Sequence, residues 1–165
     1  MESIFDGVLT LNLILSTVIF YIAARIYVLP KVGRVNPRTI LIPILLLHSF
    51  RHLGLMFLMR GAVYPGMPVR FAYPAAIGDF ITSILALIAI PAVSRNLRVG
   101  QLLVWIFNVF GTLDLIDAIT LATAYNAPIY MGAAYWIPAF WVPALLVTHY
   151  ITFAVLTKSK LGRFS

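Results

Sequence analysis

Seven side chains able to do acid–base, ligand or ion-pair chemistry fall inside otherwise apolar stretches: His48, Arg51, His52, Asp79, Asp114, Asp117 and His149. A charged residue at the centre of a membrane helix costs roughly 2.5 to 3.5 kcal/mol on insertion scales, so such a set is a heavy load and marks a site. His48, Arg51 and His52 stand at i, i+3 and i+4, which on an α-helix puts them on one face. Two His at that spacing can chelate one ion, as in His-Glu-x-x-His, but the segment here reads His-Ser-Phe-Arg-His and lacks the catalytic Glu. Arg51 on the same face repels a divalent cation unless carboxylates neutralise it.

The expected site is therefore a metal centre of His48, His52 and His149 with Asp114 as the fourth ligand. It would take a zinc-like divalent ion, with Asp79 or Asp114 as the base of a metal-dependent hydrolysis and Arg51 and Asn108 holding a bound ligand. A second reading is proton- or cation-coupled transport, alone or as a subunit of a membrane complex, because Asp and His at mid-membrane are the usual relay groups. A third places haem b between His149 and either His48 or His52, with Arg51 or Arg60 on a propionate, and leaves the aspartates unexplained. The remaining reading is structural pairing: Arg51 with Asp79 or Asp114, and histidines hydrogen-bonded between helices. One guanidinium cannot neutralise three carboxylates, so this reading needs protonated acids, a bound cation or Arg60 on Asp117.

These residues must be carried by membrane helices. The chain has 165 residues, 62% apolar and only 10% charged, against about 25% charged in soluble proteins. Five apolar runs of at least about 18 residues can be drawn, near 7–29, 40–59, 71–94, 101–125 and 136–157. The expected fold is an all-α, polytopic bundle of five transmembrane helices, with 1–165 as a single integral membrane domain. At about 1.5 Å per residue, His48, His52, Asp79, Asp114 and His149 come to similar depths, so four helices would share one pocket. The first helix carries only Asn12, Ser16 and Thr17 as central polar groups and should be peripheral or an oligomer contact.

Alternating the connections collects Lys31, Arg34, Arg38, Arg95, Arg98, Lys158, Lys160 and Arg163 on one side, and only Arg60 and Arg70 on the other. The positive-inside rule then predicts N-terminus out and C-terminus in, in the plasma (cell inner) membrane. Tyr64, Tyr73, Tyr125, Tyr130, Tyr135 and Trp136 gather at the outer boundary, as an aromatic belt would. The net charge of +7 is explained by topology, and no nucleic-acid partner is needed; the expected partners are the lipid bilayer and a second copy or another membrane subunit.

Without cysteine there is no disulfide, thiol chemistry or Cys metal site. The first run follows Glu2 and Asp6 with no basic residue ahead of it, so a retained helix is expected rather than a signal peptide. Phosphate loops, serine elbows and dinucleotide fingerprints are missing from the sequence. A faint echo links Ile-Pro-Ile-Leu-Leu-Leu-His at 42–48 with Val-Pro-Ala-Leu-Leu-Val-Thr-His at 142–149, but five helices cannot divide into equal inverted halves.

Overall fold

In the computed structural model, which describes residues 2–158 and the side chains from 7 onward, five helices are long and apolar enough to cross a membrane. The described residues are 85% helical and include no strand. The elements are α1 (Glu2–Ala23), α2 (Pro37–Ser49), α3 (Val69–Ser94), α4 (Gly100–Ala124) and α5 (Val142–Lys158). Lys160 and Arg163 lie outside the described residues.

Prolines and short non-α segments set the helix ends. α1 runs on through a π turn, Ala24–Val28, and a 3₁₀ turn, Leu29–Lys31, at Pro30. α2 opens with Pro37 at its first position, where the missing N–H costs nothing, and the Asn36 side chain caps it by accepting from the Arg38 amide at 3.0 Å. A second π turn, Ile137–Trp141, precedes Pro143, whose ring cannot donate to the previous turn.

The decisive irregularity follows α2. Residues Phe50–Leu58 wind as a nine-residue 3₁₀ helix, far longer than the three or four residues usual for that form. At three residues per turn, side chains three apart eclipse, and the buried residues of this segment are Arg51, Gly54 and Phe57.

α3 is the hub, packed against α2, the 3₁₀ segment and α4. Its buried positions are mostly small: Ala72, Ala75, Ala76, Gly78, Thr82, Ser83, Ala86, Ala89 and Ala92. Between membrane helices, where water supplies no hydrophobic drive, such residues let backbones approach and gain dispersion contact. α1 packs on α5 and the Ile137–Trp141 turn, through Phe20 on Phe140 at 5.3 Å and Tyr21 near Tyr150. Only 6% of its most apolar window is buried, in line with a peripheral helix.

Two apolar cores result. One gathers Leu41, Leu45, Ala89, Val93, Val104 and Val155 towards the basic connections. The other gathers Phe57, Phe71, Ala75, Met131 and Ile137 towards the opposite end. The polar residues form a layer between them.

Candidate functional site

Arg51 organises that layer. Its side chain is fully buried and leaves the 3₁₀ segment across α3 to reach α4. Nε donates to Asp79 Oδ1 at 2.6 Å, and Nη2 donates to Asp114 Oδ2 at 2.5 Å. Nη1 donates to the Gly111 carbonyl at 3.1 Å and to His149 Nε2 at 3.3 Å. A fork of fixed donors suits this arrangement, and a lysine could not engage both carboxylates in the same way.

Small residues make room for the fork. A Cβ at Gly54 would collide with the Asp79 carboxylate, and one at Gly78 would collide with that of Asp114. A Cβ at Gly111 would stand 2.7 Å from His149 Cε1 and 2.8 Å from Thr82 Cγ2. Gly54 and Gly111 therefore set the distances within the site as well as letting the helices approach. Gly78 carried no signal beyond being a glycine in an apolar run.

The hydrogen bonds fix the state of His149. Arginine can only donate, so Nε2 of His149 accepts, and its Nδ1–H donates to Asn108 Oδ1 at 2.7 Å. The Asn108 amide in turn donates to the His149 carbonyl at 3.3 Å. Asn108, expected to hold a ligand, holds this imidazole instead.

His48 is fully buried, with its ring centroid 4.3 Å from that of His149 and Phe107 against both. Its Nε2 is 2.9 Å from the Thr148 hydroxyl. That hydroxyl already faces the carbonyls of Ala144 and Leu145, so it donates to the backbone and accepts from His48 Nε2–H. His48 Nδ1 is buried with no hydrogen-bond partner. The echo between 42–48 and 142–149 thus brings its two histidines into contact.

Three expectations need correction. His52 does not share the face of His48 and Arg51. Tight 3₁₀ winding turns each residue by about 120° instead of 100°, so Arg51 stays near the azimuth of His48 while His52 swings outward. It is exposed, with Nδ1 donating to the Ser49 carbonyl at 2.8 Å. Arg60 and Asp117 are both exposed, and among the described residues the ion pairs are those of Arg51 with Asp79 and with Asp114. In place of the expected five-residue pocket stands a set of six, Arg51, Asp79, Asp114, His149, His48 and Asn108, without His52.

As a metal centre the geometry is unfavourable. Among the described residues, no three His, Asp or Glu side chains stand where one ion could be shared. The Arg51 guanidinium occupies the space between His149 and Asp114 that a cation would need. For haem, the His48 and His149 rings touch, leaving no slot for a porphyrin between them.

What the arrangement can do is hold a variable charge. One guanidinium and two ionised carboxylates sum to −1, in a layer walled by apolar cores. Desolvation makes that surplus costly, and one proton or one monovalent cation removes it.

A family model, described as Domain of unknown function (DUF8737), matches residues 8–157 and so runs through all five helices and every residue of the site. No curated protein and no solved structure matches the chain.

Proposed function

We propose, for this chain, which belongs to the DUF8737 family, that it binds and releases a proton or monovalent cation within the membrane, as the charge-carrying step of coupled transport. The observation that carries the reading is one buried guanidinium bonded to two carboxylates at once. Such a triad is neutral with one proton and anionic without it. Arg51 keeps at least one acid ionised and lets the other change state with what lies beside it. His149, held by Asn108, and His48, held by Thr148, extend the polar path away from the acids. Basic connections on one side favour a multi-pass protein of the plasma (cell inner) membrane with its C-terminus in the cytoplasm. The exposed length of α1 offers a surface to lipid or a further membrane subunit.

Proton uptake by purified protein in lipid nanodiscs tests the reading. On acidification, wild type should take up about one proton more per chain than Asp114→Asn, because the variant triad is already neutral. Equal uptake would sink the proposal. A stoichiometric zinc-like ion in the purified protein would also sink it, returning the metal centre expected of His48, His52, His149 and Asp114.

A further inference from the structure

A cavity of about 90 Å³ lies in the half of the bundle that holds the N-terminus, lined by Leu13, Phe57, Phe71, Leu115 and Met131, with Asp79 as its ionisable residue. α1 forms one wall yet packs on α5 and the Ile137–Trp141 turn, with no comparable packing on α3 or α4. The lining draws on α1, α3, α4, the 3₁₀ segment and the segment before α5, so the cavity sits where α1 stands off α3 and α4. The Asp79 side chain is 12% exposed while Arg51 holds its Oδ1. Its Oδ2 packs against Gly54, and the exposed part of the side chain is what an entering group meets.

We propose that this cavity binds a slender lipophilic monocation, an alkylammonium, whose charged head meets Asp79 and whose arrival expels the proton from the Arg51 triad. The inference rests on the triad being a proton site. Three observations converge on this ligand class. Apolar walls select a hydrocarbon body. The surplus negative charge of Asp79, Asp114 and Arg51 selects a cation over an anion or a neutral molecule. The volume, below the roughly 150 Å³ of an engineered void that takes up benzene, admits the head and first carbons of a thin chain whose tail runs out beside α1, and excludes a bulky aromatic ion. The balance closes: one ammonium enters, one proton leaves a carboxyl group, and the layer stays neutral in both states. Cation and proton then compete for one charge, which is the condition for their exchange across a membrane.

Calorimetry in nanodiscs, against empty discs, tests this with hexylammonium, which is cationic at pH 7 since an alkylamine has a Lys-like pKa of about 10.4. Saturable binding is expected, with release of about one proton per cation, read from the dependence of heat on buffer ionisation enthalpy. Asp79→Asn should lower affinity at least tenfold and abolish proton release. Ala75→Leu, which fills the cavity without touching a charge, should lower affinity as well. Hexanol should bind at least tenfold more weakly than hexylammonium to the wild type, a comparison that needs no variant to fold. Equal binding of hexanol, undiminished affinity in Asp79→Asn, or binding without proton release would each overturn the inference. If hexylammonium fails to bind while the Asp114-dependent proton uptake persists, the cavity assignment is wrong and the proton site stands. If that uptake is missing, the error lies in the proton site.

Discussion

At the scale of single residues, the site depends on one guanidinium shared by two carboxylates. Removing Arg51 strands Asp79 and Asp114 in an apolar layer with no counter-charge. Breaking a buried pair from one side costs about 3 to 5 kcal/mol, because the remaining charge loses its partner without regaining water. Arg51→Ala should therefore lower the detergent melting temperature sharply, while Arg98→Ala, exposed in a connection, should leave it nearly unchanged. Equal losses would mean that Arg51 does not sit between the carboxylates. A double variant, Arg51→Met with Asp79→Asn, should recover part of the loss, since one stranded acid is removed with the cation. The glycines give a second check. Gly111→Ala would push a methyl group into His149 and Thr82 at 2.7 to 2.8 Å, and overpacking of this kind costs about 1 to 3 kcal/mol. Its effect should be felt at the His149 ring, in the imidazole resonances, as well as in the melting curve.

At the scale of elements, the 3₁₀ segment Phe50–Leu58 decides which residues meet. Its consequence is testable through the residue it ejects. His52→Ala should shift stability by no more than about 0.5 kcal/mol, as for surface substitutions generally, whereas His149→Ala should remove the acceptor of Arg51 and the partner of Asn108. A large loss from His52→Ala would restore a continuous α-helix through residues 48–52 and the face expected from it.

The same segment shows where the sequence could be read and where it could not. Apolar length and charge placement were enough for five spans, because lipid forces helices on any chain that crosses it. Depth counting brought His48, Asp79, Asp114 and His149 to one layer, because rise per residue is nearly constant. Azimuth was lost at His52, since an α-helical period was assumed where the winding is tighter. A signal was present, however: His48, Arg51, Gly54 and Phe57 recur every three residues, and all four are buried. The thirds of this pattern are hard to see against flanking Leu and Met that suit either face in a membrane. Thr148, by contrast, gave no warning. Its hydroxyl could have satisfied a backbone carbonyl alone, as it does here, and only the packing of α2 on α5 brings His48 to it.

At the scale of the whole molecule, two asymmetries have to agree for the proposed transport to have a direction. Lys31, Arg34, Arg38, Arg95, Arg98 and Lys158 belong to one end of the bundle, and Arg60 and Arg70 to the other. Tyr64, Tyr73 and Trp136, all exposed, lie at the end with few basic residues, as does the cavity that reaches Asp79. The positive-inside rule counts basic residues in short connections, and these connections are short, so the basic end should face the cytoplasm. Because the chain has no cysteine, single replacements report cleanly. Leu97→Cys should be shielded from a membrane-impermeant maleimide in intact cells and react only after permeabilisation, while Ile129→Cys should react from outside at once. Under that orientation the cavity opens to the outer half of the membrane, and the apolar core of Leu41, Leu45 and Val104 lies on the cytoplasmic side of His48 and His149. A lipophilic cation would then meet Asp79 from the outer leaflet. Labelling in the reverse pattern would place the same cavity in the inner half, so that an expelled proton and an arriving cation exchange in the opposite sense, while every contact within the Arg51 triad stays as it is.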